Sequence, residues 1–286
     1  MRFGVSGDLF PRDMREFTAE HARRTRELGF SGIFTRFGAN DPHATPRAEC
    51  RRVRDILADH GLAMYQCTGY WQPLMHADES IRREASRTLR AALRVAGELG
   101  ARGIDTGPGS LSPNGPWAPH PGNWTADARR QLVKTLKEGA PTAEDNGVYL
   151  SLEGHLLVTL DSAATVREVL DEVGSRWVRS DLDPVNWIGL AEVYDTTTAV
   201  ERMFKTLGEH VVSGHAKDVI IEDRLVIHID QRPAGQGLLD YRTYLRLMEA
   251  LNPEYPVIVE GATVAELPAV KAFLDSVAAE LGIRVF

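Results

Sequence analysis

The segment GVYLSLEGH, residues 147–155, runs from a turn glycine through V-Y-L-S-L into Glu153 and His155. Its apolar run is short, lacks a helical repeat and reads as a strand buried on both faces. A carboxylate ending such a strand costs on the order of several kcal/mol if it stays ionised without a partner. Glu153 must therefore hold something. A helical pattern over 124–146 precedes this strand, and another over 162–173 follows it.

The same alternation covers the whole chain. Strand segments are expected at 2–8, 32–37, 62–71, 101–107, 147–155, 177–184, 210–218 and 255–261. Apolar residues recur at three and four over 13–29, 45–60, 78–99, 124–146, 162–173, 189–208, 239–251 and 264–281. Gly29, Gly100 and Gly147 punctuate helix ends, while Asp161 and Asp240 stand at N-cap positions. Eight βα units without a linker or composition shift predict an α/β fold, a single (β/α)8 TIM barrel spanning 1–286. An open doubly wound sheet would usually bring a glycine-rich phosphate loop after its first strand, and VSGDLFPRD has one glycine.

Two connections exceed the simple repeat. VIIEDRLVIHID, 219–230, reads as a β-hairpin inserted after the seventh strand and turning near Glu222 and Asp223. GPGSLSPNGPWAPHPGNW, 107–124, carries five prolines and two tryptophans after the fourth strand. Both belong to the C-terminal face of the barrel, where barrel enzymes build their sites.

Composition narrows the function classes. The chain has 286 residues, 43% of them hydrophobic, and a net charge of -7. That charge opposes a nucleic-acid partner, which needs clustered Lys and Arg. No apolar run is long enough to span a membrane, so a soluble, cytoplasmic protein without a membrane partner is expected. Cys50 and Cys67 form no C-x-x-C pair and read as ordinary thiols.

The ionisable residues of the second half cluster at strand ends: Glu153, Asp183, His215 and Glu260. Adjacent strands lie about 4.8 Å apart, so four successive ends bring these groups to one small region. Three carboxylates and an imidazole that close call for a cation. An oxygen-rich set with one nitrogen favours one divalent metal ion, Mn²⁺ first, with Mg²⁺, Co²⁺ and Zn²⁺ also compatible. Asp181 faces the same side as Asp183 but deeper, as a competing ligand or the partner of a buried arginine.

In order, LSLEGH, SDLDPVNW, SGHAKD, RPAGQGLLDY and PVIVEG resemble the xylose isomerase-like TIM-barrel superfamily of sugar isomerases and epimerases. The resemblance implies Glu153, Asp183, His215 and Glu260 as ligands of one metal, with Glu153 and Glu260 as the acid/base pair. It also implies substrate contacts from Arg232 and from the position of Asn186, where those epimerases often hold a histidine. His155 and Lys217 lie two residues beyond ligands and should face the pocket. Trp187, beside Asn186, is the tryptophan expected at the substrate, the others being read as packing.

The expected activity is a metal-dependent isomerase or epimerase, moving a proton beside a carbonyl of a small carbohydrate through a metal-stabilised enediolate. A sugar lyase, dehydratase or deglycosidase subunit would use the same chemistry. The additional histidines of AP endonucleases are missing from strand ends two to four, and an intact acidic cluster opposes a purely structural barrel. A-G-Q-G at 234–237 serves either a phosphate or the turn into the seventh helix. Exposed helices leave homo-oligomerisation open.

Overall fold

The computed structural model describes residues 1–68 and 71–286. Gly69 and Tyr70, which the third strand segment included, lie outside the described residues. The strands are β1 (Arg2–Val5), β2 (Gly32–Arg36), β3 (Ala63–Thr68), β4 (Gly103–Thr106), β5 (Tyr149–Leu152), β6 (Val178–Leu182), β7 (Val211–Ile221), β8 (Ile229–Pro233) and β9 (Pro256–Val259). Eight of them pair in parallel: β1 joins β2 and β9, β7 joins β9 and β6, and β2 through β6 follow in order. That ring is the closed (β/α)8 barrel. β8 hangs antiparallel on the overlong β7, so the expected hairpin is present. Its turn spans 222–228, closed by Glu222 N–H on the carbonyl of His228 at 2.9 Å, and so begins at the expected pair but runs past it.

The helices are α1 (Ala19–Glu27), α2 (Arg47–Asp59), α3 (Glu79–Leu99), α4 (Ala126–Asn146), α5 (Ala163–Val173), α6 (Thr196–Leu207), α7 (Tyr241–Leu251) and α8 (Leu267–Glu280). Three expected boundaries move for local reasons. The helix expected over 13–29 is divided, because Asp13 caps a short 3-10 turn and Thr18 restarts the chain as the cap of α1. α6 begins seven residues after the expected start, where Asp195 accepts from Thr198 N–H at 3.2 Å. Ser162, not Asp161, caps α5, since its hydroxyl reaches Thr165 N–H at 3.2 Å. Among the described residues no helix is long and apolar enough to cross a membrane.

The main core lies between the barrel and its helices. A second, small cluster of Phe34, Tyr65 and Ile258 plugs the barrel's interior. Gly4 and Gly32 make room for it: a Cβ at Gly32 would stand 2.4 Å from the Tyr65 ring. Burial pushes the thiols of Cys50 and Cys67 up to about 11 and about 12, as suits inert buried thiols.

Asp218 explains the turn at 234–237. Its buried carboxylate accepts the backbone N–H groups of Val219, Gly235 and Leu239, each at 2.9 Å. A Cβ at Gly237 would meet its Oδ1 at 2.4 Å. These amides, that of Gly235 in the A-G-Q-G loop among them, are thus taken by the chain's own carboxylate. Replacing Asp218 by Ala strands them in the interior and should cost roughly 3 kcal/mol. A urea unfolding curve checks this, and a loss below about 1 kcal/mol would show that the turn holds itself.

Candidate metal centre and active site

Glu153, Asp183 and Glu260 are each the first residue after their strands β5, β6 and β9, and His215 lies inside β7. All four are buried, and each offers one donor atom within 4.8 Å of the others. Local sequence sets their places. Asp183 accepts Val185 N–H at 3.1 Å and so caps the 3-10 turn Pro184–Trp187, turning the chain at the strand end. From α7, the Tyr244 hydroxyl donates to the carbonyls of Leu182 and His215 at 3.3 and 3.0 Å, tying the ends of β6 and β7 together.

His215 stands at the centre. Its Nδ1 is 3.4 Å from Glu153 Oε1 and 3.6 Å from both Asp183 Oδ2 and Glu260 Oε2, with no hydrogen-bond partner among the described residues. Its Nε2 lies 2.9 Å from Asp181 Oδ2. Asp181 is therefore the partner of the imidazole rather than of an arginine, and it sits below the cluster, not in it. Lys217 Nζ approaches Asp183 at 2.6 Å, Glu260 at 3.0 Å and Glu153 at 3.7 Å.

Charge balance follows from these distances. Burial alone would raise the Asp183 and Glu260 carboxyls, but Lys217 and His215 outweigh it and hold both below the ordinary range. Burial likewise opposes charge on His215 and Lys217, and the surrounding carboxylates override it, raising both. Three carboxylate donors and an orphaned, buried imidazole nitrogen suit a hard or borderline divalent cation. The cluster can hold such an ion.

Above it opens a cavity of about 550 Å³, lined among others by Asp8, Arg36, Trp71, Trp117, His155 and Gln231. Asn186 also lines it and donates to Glu153 Oε1 at 2.8 Å. His155 faces the cavity and accepts Leu157 N–H on Nδ1 at 3.1 Å, and burial and then Lys217 lower its affinity for a proton. Trp187 and Arg232 do not reach the cavity. Trp187 turns inward to donate to the carbonyl of Leu160 at 3.0 Å. On β8 the alternation of faces sends Gln231 into the cavity and Arg232 away, toward Asp230 at 2.5 Å and Glu222 at 3.8 Å.

Arg36, at the end of β2, escaped the sequence reading although the strand-end rule applies to it. Its guanidinium donates to Glu260 Oε1 at 2.5 Å and lies 5.1 and 5.0 Å from the ring centres of Phe34 and Trp71. Trp71 and Trp117, read as packing, form the aromatic wall. No pattern in the sequence separates them from Trp187. Asn123 fixes the long loop carrying Trp117 by donating to Leu157 O at 2.9 Å and accepting Leu111 N–H at 3.0 Å.

A model of the xylose isomerase-like TIM barrel matches residues 22–278. The chain belongs to that family. Among curated protein sequences, none matches it. Among solved structures, it is similar to the 3-keto-D-glucoside 4-epimerase YcjR from E. coli, at 18% identity over 99% of both chains and a TM-score of 0.71. A xylose isomerase-like TIM barrel protein from Mycobacterium smegmatis, in complex with magnesium, aligns at 18% identity over 98% of this chain and 97% of its own, TM-score 0.72. The probable 3-DHS dehydratase AsbF from Bacillus anthracis aligns at 16% identity, covering 97% of this chain and 99% of its own, TM-score 0.69. Identities this low show a shared fold.

Asp105, in β4, was read only as part of a strand end. It is fully buried, and neither carboxyl oxygen has a hydrogen-bond partner among the described residues. Burial first, then Glu153 and Asp181, push its pKa well above the ordinary value, so the fold favours its neutral form. The unfolded chain releases that proton near pH 4 and the folded one only at higher pH, so Asp105 costs stability progressively as pH rises above about 4. Asp105→Asn should therefore gain on wild type between pH 4 and 8 in paired unfolding curves. A constant difference across that range would mean that Asp105 ionises in the fold.

Proposed function

We propose that the protein is a divalent-metal-dependent isomerase or epimerase of a small polyhydroxylated carbonyl compound: a ketose, aldose or keto-cyclitol. The observation that carries this reading is the unpartnered His215 Nδ1 facing three buried carboxylates at the floor of an open cavity. Family membership and the epimerase named among the structural relatives support it.

Glu153, Asp183, His215 and Glu260 would hold the ion, Mn²⁺ by preference of an oxygen-rich set, with the magnesium complex of one relative pointing to a similar hard cation. A divalent ion there polarises a carbonyl beside a hydroxyl and makes the neighbouring C–H acidic. Glu153 and Glu260 line the cavity and would take that proton and return it on the adjacent carbon or the opposite face. Asn186 steadies Glu153, and Arg36 steadies Glu260. Lys217, which also lines the cavity, stabilises negative charge developing on a substrate oxygen. Trp71 and Trp117 shield the site and offer ring faces to the C–H face of a sugar.

The second reading is elimination. The dehydratase among the structural relatives favours it, as does His155 on the cavity wall, a group able to hydrogen-bond a leaving hydroxyl. Carbohydrates incubated with the Mn²⁺-supplemented enzyme in D₂O and followed by NMR separate the two. Deuterium at carbon with the skeleton otherwise conserved is the expected result, falling on the order of 10²–10⁴-fold in Glu153→Gln and Glu260→Gln. Loss of water would select the dehydratase reading. No exchange with any ketose, aldose or keto-cyclitol by metal-loaded protein would reject the isomerase or epimerase.

A further inference from the structure

Below the four cluster residues lies a second layer of buried polar groups. Asp181 on β6 is fully buried, and its Oδ1 accepts the Ser213 hydroxyl at 2.7 Å. Its Oδ2 accepts Gln66 Nε2 at 2.6 Å and lies 2.9 Å from His215 Nε2. With its N–H end committed to Asp181 and to Ser213 Oγ at 3.0 Å, the Gln66 amide turns its Oε1 to the same His215 Nε2, at 3.1 Å. That ring nitrogen thus meets two acceptors and no donor, which requires it to carry a hydrogen. Phe34 stacks on the imidazole with centroids 5.7 Å apart and planes 16° from parallel, closing off rotation.

Backbone irregularities put these side chains where they are. The register of β2 against β3 shifts between Ile33 and Phe34, bringing Gln66 opposite Phe34. The register of β6 against β7 shifts between Ser180 and Asp181, bringing Asp181 opposite Ser213. Such shifts re-aim side chains beside active sites.

We propose that Asp181 and Gln66 are positioning residues that keep a hydrogen on His215 Nε2 and so turn Nδ1 to the three carboxylates as the nitrogen that ligates a metal in exchange for any proton it holds. Asp181 acts twice, as an acceptor for the ring and as the group that orients the Gln66 amide. The inference rests on the metal-centre reading above, and the test keeps the two apart.

Titration calorimetry with Mn²⁺ on metal-free protein reads the affinity, and long-range ¹H–¹⁵N correlation of histidine signals reads which ring nitrogen carries hydrogen, with and without Zn²⁺. Asp181→Leu and Gln66→Leu should each weaken Mn²⁺ binding about 10–100-fold. Asp181→Asn should stay within a few-fold of wild type, because its amide oxygen still accepts from Nε2 while the Ser213 hydroxyl turns to accept from its NH₂. In Zn²⁺-loaded wild type, Nε2 should carry the hydrogen and Nδ1 none. Asp181→Leu or Gln66→Leu binding like wild type, or a hydrogen-free Nε2, would overturn the proposal. If Asp181→Leu fails to fold, Gln66→Leu carries the same comparison. Wild type that takes up no ion would instead sink the metal reading. The Nε2–H signal of the metal-free protein would then be decisive for the imidazole's orientation, its absence overturning that too.

Discussion

Mutual repulsion among buried carboxylates is the constraint on which the rest of this site depends. Glu153, Asp183 and Glu260 converge within ion-pair distance of one imidazole because four neighbouring barrel strands end at one level. Water cannot screen them there, so positive charge must. In the structure it comes from Lys217 and His215, whose raised affinities for their protons are the electrostatic counterpart of the lowered carboxyls. A protein gains nothing in stability from such an arrangement over an apolar barrel mouth. Its persistence at the floor of a cavity is a mark of function.

The two glutamates are equivalent in the strand-end pattern and unequal in their surroundings. Glu153 accepts from a neutral amide, Asn186, whereas Glu260 accepts from a guanidinium held against Phe34 and Trp71. Arg36 thereby joins the second strand to the half of the barrel that carries the acidic cluster and gives one wall of the cavity a positive edge. The wall built on the proline-rich loop pinned by Asn123 is aromatic. A polar floor, a charged edge and an aromatic wall suit a hydroxylated substrate with an apolar ring face.

Much of this was legible in the residues. Period-two and apolar runs separated by helical repeats are local signals, and eight of them in one chain leave few topologies. Glu153, Asp183, His215 and Glu260 could be placed because a parallel barrel converts position along a strand into depth, which needs no tertiary information. What could not be placed depended on orientation within a loop or hairpin. Gln231 and not Arg232 lines the cavity because the register of β8 on β7 decides which of two neighbours faces inward. Trp187 looked like a wall and is instead held in the packing by the carbonyl of Leu160. Gln66 was invisible for another reason: a one-residue register shift brings it to His215, and register shifts leave no trace in composition or periodicity.

Elemental analysis of protein purified without chelator, with wild type beside Glu260→Gln and His215→Ala, tests the central claim most directly. The account predicts near-stoichiometric Mn, Mg, Co or Zn in the wild type and a large loss in both variants that still fold. Wild type free of metal even after Mn²⁺ is added back, or variants that retain it fully, would contradict it.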